Sequence, residues 1–390
     1  MYSSRRLYFL WRLLYIGLKP GTVFFSAKFL SSDVANTVSF AIVVSSTLMA
    51  SLSFGTYRLT FKNNDSEKTA YYENFRRGVF LFNLGLLIII SVLVLVFGDY
   101  SLDVVIFLLL FVVSEHVVHD ESRVFLYQGN REKWARHNFL RSSFIALLPI
   151  GFWLFPSLGL GYLMAILFAG TIFTSLLFNG LSRVSFEIIK LPLSRTFYRR
   201  YLKQSNYFVS SFISKFNQQS DRYLFAFMSY DTLWIYTLIA QIGSVSLMFF
   251  EMTYMSSFKA KIVEERNYHF QFLSFAQLKA MFSAIFISLI VYLIASMQLS
   301  ELLEYNYLAC FLIFVIVNMF AATNMLNSEK LFWYLNKPSK FTRVELGSFL
   351  FGHLLVVPLV LLSSAIVLVR IPTLFAYIFK IWSVRKCLKA

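Results

Sequence analysis

The chain has 390 residues, 58% of them hydrophobic and 14% charged, and 36 Lys and Arg against 20 Asp and Glu give a formal net charge of +16. This composition excludes an ordinary soluble domain and predicts a polytopic membrane protein. The two cysteines, Cys310 in an apolar run and Cys387 in the C-terminal tail, suggest neither a disulfide framework nor a metal site.

Hydropathy places twelve spans at roughly 7–28, 35–57, 77–98, 103–127, 138–156, 158–181, 206–228, 232–255, 274–297, 306–328, 346–369 and 371–384, since about 20 apolar residues cross a bilayer as a helix. Met1-Tyr-Ser-Ser-Arg5-Arg6 leads into an apolar run with no small-residue cleavage site, so it is expected to remain as the first span. Arg5, Arg12 and Lys19 recur every seven residues and share one helical face. Arg5 is expected to snorkel to the cytoplasmic headgroups, and Arg12 either snorkels or faces a cavity. Lys19 is too deep to snorkel and is expected to face a cavity. Pro20-Gly21 follows at once and predicts a kink, either static or a hinge.

The first hairpin recurs in the second half. Phe29-Leu-Ser-Ser-Asp33 aligns with Phe227-Met-Ser-Tyr-Asp231, and Thr56-Tyr57 and Phe61-Lys62 align with Thr253-Tyr254 and Phe258-Lys259, with one single-residue gap. The identities are few, but they fall in register with the hydropathy. Arg58 ends the second span on the cytoplasmic side. In the fourth span Glu115 leads a polar descent through His116, His119, Asp120 and Arg123. His-x-x-His-Asp lacks a second ligand cluster, so no metal is expected. Glu115 either pairs with His119 at i,i+4 or takes up a proton in a coupled cycle.

The chain divides into an N-terminal six-helix lobe, 1–185, a basic cytoplasmic connector, 186–203, and a C-terminal six-helix lobe, 204–390. An even number of spans per lobe inserts both the same way round, a parallel repeat about an axis along the membrane normal. In the seventh span Ser211, Lys215, Gln218 and Arg222 form one polar face, while Asp221 points elsewhere, toward a neighbouring helix. Glu251 is the one acid of the eighth span. Lys215 either faces a cavity or pairs with Asp221 or Glu251. Asn318, Asn324 and Asn327 in the tenth span and His353 in the eleventh are expected to bond between helices.

With both termini cytoplasmic, that side holds 31 of the 36 Lys and Arg. The other side holds only Lys28, Arg222 and Arg370, and Lys19 and Lys215 lie mid-span. The positive charge is thus a topology signal, not a nucleic-acid surface. No long loop and no phosphate-binding Gly-rich loop suggests a catalytic domain, so no enzyme and no cofactor are expected.

Twelve spans in two halves, the element Ser220-Asp221-Arg222-Tyr-Leu…Tyr236-Thr-Leu-Ile-Ala240 and the loop Tyr127-Gln128-Gly129-Asn-Arg131 resemble the polysaccharide-biosynthesis branch of the multidrug/oligosaccharidyl-lipid/polysaccharide exporter superfamily. Its best-known members are the Wzx-type O-antigen flippases. The chain departs from that family in having Asn36-Thr-Val and Trp234-Ile-Tyr236 where a Gly usually precedes the Tyr that opens the second and eighth spans. The resemblance implies an all-α protein of the bacterial inner membrane with two lobes around a cationic cavity. It implies an undecaprenyl-pyrophosphate-linked oligosaccharide as substrate, moved by alternating access, with membrane lipid and other glycan-assembly proteins as partners. Arg12, Lys19, Arg58, Lys215 and Arg222 are the expected cavity cations, Glu251 and Glu115 the ion-coupling acids, and Pro20 and Gly21 the hinge. A multidrug-type exporter of the same fold and a membrane-embedded glycan polymerase or transferase are the competing readings.

Overall fold

Apolar runs long enough to cross a bilayer have one way to satisfy their backbone donors and acceptors without a partner strand, which is to coil into helices. The computed structural model describes residues 2–36, 38–40, 42–43, 125, 130–155, 165, 169–170, 172–174, 177, 195–255, 269–334, 338–363 and 365–389, and among them there are helices and no strand. The elements are α1 (Tyr2–Phe29), α2 (Arg131–Leu154), α3 (Arg195–Met228), α4 (Leu233–Phe250), α5 (Phe275–Ser296), α6 (Tyr305–Tyr334), α7 (Pro338–Phe349), α8 (Leu355–Ser363) and α9 (Ile371–Lys389). The segments Glu251–Met255 and Leu350–Leu354 are π-helical, the second joining α7 to α8.

Five segments among the described residues are long and apolar enough to span: Tyr230–Phe250, Phe275–Ser296, Tyr305–Leu331, Ser339–Ser363 and Ile366–Leu388. They correspond to the last five spans of the sequence reading, with shifted ends. The eleventh starts eight residues before its expected position because Pro338 opens α7, where a proline loses nothing by lacking an N–H. The twelfth, expected over 371–384, extends through α9 to Lys389. Residues 195–203, expected in the connector, are the first turns of α3.

Packing divides the chain into two compact units, Met1–Thr22 with Val44–Ser211 and Val23–Val43 with Phe212–Ala390. The division cuts α1 between Thr22 and Val23, directly after Pro20-Gly21. In the first unit α1 lies on α2. Tyr8 stacks on Trp134 with ring centroids 6.4 Å apart, and Trp11 meets Phe139 at 5.1 Å. Asn130 starts α2 by accepting the Lys133 N–H at its Oδ1, which satisfies one of the free donors of a helix start.

In the second unit α4 is buried almost all round and packs on α5 and α6, while α9 packs on α6, α7 and the π segment. Phe250, Met281, Ala322 and Leu326 form one core where α4, α5 and α6 meet. Val317, Ala321 and Tyr377 tie α6 to α9. Ser274 and Gln277 cap α5 reciprocally, and its Phe282, Phe286, Ile290 and Ile294 remain exposed, as a lipid-facing helix requires. Polar side chains fasten these helices in place of a hydrophobic drive, which lipid does not supply between helices. Asn318 Nδ2 donates to Gly243 O at 2.7 Å, Asn324 Nδ2 donates to Tyr377 O at 3.1 Å, and Asn327 exchanges two bonds with the backbone of Gln271.

Candidate functional site

The polar face of α3 is graded. Lys215, Gln218 and Gln219 are half-buried, whereas Asn217, Ser220, Asp221 and Arg222 are buried. Lys215 Nζ donates to Gln218 Oε1 at 2.8 Å, so it is engaged along its own helix and not with Asp221.

Asp221, whose side chain leaves that face, meets Arg370, the residue directly before α9. Its Oδ1 lies 2.8 Å from Arg370 Nη1, and its Oδ2 accepts the Tyr236 hydroxyl of α4 at 2.8 Å. Arg370 also donates to the Gln218 carbonyl at 3.2 Å, and its guanidinium lies over the Phe314 ring at 4.2 Å. Three helices thereby share one buried carboxylate. The approach of α9 depends on Gly352 in the π segment, where a Cβ would come within 2.5 Å of the Pro372 carbonyl oxygen.

The π segment also delivers His353. A π turn adds a residue to the helix and re-aims the side chains around it, a device common at functional positions. His353 Nε2 lies 2.7 Å from Ser220 Oγ, and its ring stacks on Phe349 at 4.9 Å. Ser220 also contacts Thr373, which donates to the Asn217 carbonyl at 3.3 Å. Asn217 Nδ2 reaches Ser348 Oγ, and one turn away Glu345 of α7 pairs with Lys380 of α9 at 2.5 Å. Every buried acid of this network thus has its own cation.

Arg222 is the exception. It is 6% exposed, its Nε has no hydrogen-bond partner, and among the described residues its guanidinium makes no hydrogen bond, ion pair or ring contact. Asp221 and Arg370 lie within its electrostatic reach, as do Tyr236 and Tyr223.

Of the other residues singled out in the sequence, Arg12 is 3% exposed in the first unit, with its guanidinium 4.3 Å from the Trp134 ring and 5.2 Å from that of Tyr15. It therefore does not snorkel. Lys19 is half-buried on the same helix. Pro20 is buried inside an uninterrupted α1, and Gly21 faces open space. Glu251 is half-buried and opens the first π segment. Arg58 and Glu115 lie outside the described residues. Arg12 and Lys19 belong to one unit and Lys215 and Arg222 to the other.

The sequence reading assigned no role to Arg370, Ser220, Thr373 or the Glu345–Lys380 pair. Arg370 carried a signal nonetheless, as one of only three basic residues on the side with little positive charge.

No family model matches the sequence, and no curated protein matches it. Solved structures do. A MATE transporter in complex with MaL6 superposes with a TM-score of 0.61 at 12% identity, over 99% of this chain and 96% of that one. A point mutant of the Vibrio cholerae MATE transporter VcmN gives 0.60 at 12% identity, over 99% and 97%. A MATE transporter in complex with Br-NRF gives 0.54 at 14% identity, over 99% and 96%. Along essentially its whole length, this all-α, multi-pass membrane chain has the fold of the MATE transporters.

Proposed function

We propose that the protein is a flippase for a polyprenyl-pyrophosphate-linked oligosaccharide, moving it across the bacterial inner membrane by alternating access, with both termini cytoplasmic. The observation that carries this reading is the charge of the buried polar groups. In the second unit the acids Asp221 and Glu345 are each matched by a cation, while Arg222 is left over. In the first unit Arg12 is buried beneath aromatic rings. A pyrophosphate requires positive charge in a low-dielectric site, and the lipid tail can remain in the bilayer. Arg12, Lys19, Arg58, Lys215 and Arg222 are the proposed cavity cations, with Glu251 and Glu115 as coupling acids and Pro20-Gly21 as the hinge of α1.

A second reading, a multidrug-type exporter, draws support from the MATE neighbours, whose likeness extends over the whole chain. Proteoliposomes containing the purified protein separate the two. Accessibility of a lipid-pyrophosphate oligosaccharide to an external glycosidase is expected to rise with time, and Lys19→Gln or Lys215→Gln at equal abundance is expected to slow it at least tenfold. Uptake of cationic dyes with no lipid movement would instead establish the multidrug reading.

A further inference from the structure

The outer end of the first hairpin is held at three points by turns of the second half. Asn36 Nδ2 donates to the Asp231 carbonyl and its Oδ1 accepts the Trp234 N–H, both at 2.9 Å. Lys28 Nζ donates to the Gln298 carbonyl at 3.0 Å, and the Phe40 and Tyr230 rings meet edge-on with centroids 6.2 Å apart. Trp234 is the repeat counterpart of Asn36, by the offset that aligns Asp33 with Asp231. Where two repeats are related by a two-fold rotation, a residue can touch its own counterpart only beside the axis. The Asn36–Trp234 bond therefore marks the axis between the two hairpins, at the ends that carry Asp33 and Asp231 and are expected to face outward.

Water can replace each of these joints. Lys28, Asp231 and Gln298 are exposed, as are the Phe40 and Tyr230 rings. A hydrogen bond exchanged for one to water changes the free energy little. Beneath the joints Ser26, Ala35 and Ser39 are fully buried, small side chains of the kind that let helices lie close. The stretch Val23–Val43 packs with the second unit, whereas α1 up to Thr22 packs with the first, so the joints fasten the part of α1 that follows Pro20-Gly21. We infer that they form a reversible latch on the axis, shut in this structure, which releases the first hairpin when the protein opens to the outer side. That release serves transport rests on the alternating-access reading; the shut and released states do not. Asn36 is the positioning residue of the latch, because its one amide serves an acceptor and a donor three residues apart on the partner turn.

Ala35 reports the state of the latch, since a cysteine there is covered until the hairpin lifts. Full-length protein carrying Ala35→Cys and Cys387→Ser is treated in intact cells with an impermeant maleimide. Lys28→Met removes the ammonium. Asn36→Asp keeps the size of the side chain but sets a carboxylate oxygen against the Asp231 carbonyl. Either is expected to speed labelling roughly tenfold, while the buried native Cys310 stays unlabelled. A short bis-methanethiosulfonate bridge between Lys28→Cys and Gln298→Cys is expected to stop labelling of Ala35→Cys. In proteoliposomes it is expected to stop movement of a lipid-linked oligosaccharide until the bridge is reduced. Unchanged labelling in both variants, equal labelling of Cys310, or full transport by the bridged protein overturns the latch. Labelling that the bridge stops, in a protein that moves no such lipid even unbridged, keeps the latch and removes the flippase reading.

Discussion

The Trp234 backbone N–H donates to Asn36 Oδ1 at 2.9 Å, joining two residues 198 positions apart. The same offset aligns Phe29–Asp33 with Phe227–Asp231, so each residue bonds to its own counterpart in the repeat. Asn36 Nδ2 donates to the Asp231 carbonyl at 2.9 Å, and Lys28 Nζ donates to the Gln298 carbonyl at 3.0 Å.

Loss of that amide is felt at Trp234, which is buried, more than at Asp231, which is exposed. Asn36→Ala is expected to destabilise the protein by about 1–3 kcal/mol, the cost of a buried donor without an acceptor. Thermal melts check the size of the loss. Faster thiol labelling of Tyr230→Cys in the Asn36→Ala background checks its location.

The Asp221–Arg370 pair predicts non-additivity. Arg370→Met alone strands a carboxylate at about zero exposure and is expected to cost about 3–5 kcal/mol. Asp221→Asn alone leaves two buried guanidiniums unmatched and is expected to be at least as harmful. Their combination is expected to be milder than Asp221→Asn, with a coupling energy of about 1–3 kcal/mol by double-mutant cycle.

Gly21 faces open space, so a methyl group fits there without a clash. Gly21→Ala is expected to stiffen α1, gaining up to about 1 kcal/mol in helix propensity. If the Pro20-Gly21 step is the proposed hinge, the same variant transports more slowly while melting higher. Equal transport at higher stability leaves the kink a static feature.

Glu251 heads a π segment and is half-buried. The coupling role proposed for it predicts that Glu251→Gln keeps its fold but loses the dependence of transport on an imposed proton or sodium gradient. Parallel measurements in proteoliposomes with and without the gradient check this. A gradient response equal to the parent's returns Glu251 to a structural role.

Sidedness has its own check. Ser32 and Glu301 are exposed in segments expected on the outer side, and Lys386 is exposed near the C-terminus. Single cysteines at the first two positions are expected to react with an impermeant thiol reagent in intact cells, and one at Lys386 only after permeabilisation. Of the three basic residues expected on the outer side, Arg222 and Arg370 are buried and Lys28 is exposed.

Hydropathy revealed most of the helices because burial in lipid demands long apolar runs whatever the packing. The inter-helix roles of Asn318, Asn324 and His353 were legible for a related reason, since an amide or imidazole at mid-span has few alternatives to a neighbouring helix, whereas Asn327 bonds the non-helical backbone at Gln271 before α5. Asp221 was legible as an outlier from the face of α3. Its partner was not, because helical periodicity gives a direction of projection and no register against distant helices. The π segment at Leu350–Leu354 was equally invisible. Backbone hydrogen-bond slippage leaves no residue signature, yet it re-aims His353. The burial of Leu302 between the ninth and tenth spans left no signal either: it is fully buried, with its carbonyl accepting the Tyr292 hydroxyl at 2.5 Å.

The anchoring of α3 by Arg370 also sets a timetable for synthesis. Arg370 and the Gln218 carbonyl that it binds are 152 residues apart in the chain. At about 5–20 residues per second, α3 emerges on the order of 10–30 s before the cation that neutralises its Asp221. The apolar α4 can wait in lipid during that interval, but α3 carries Asp221 before its cation is made. Nascent α3 therefore has to be sheltered by the insertion machinery, and a chain truncated before Arg370 would present to membrane proteases a helix the bilayer cannot accept.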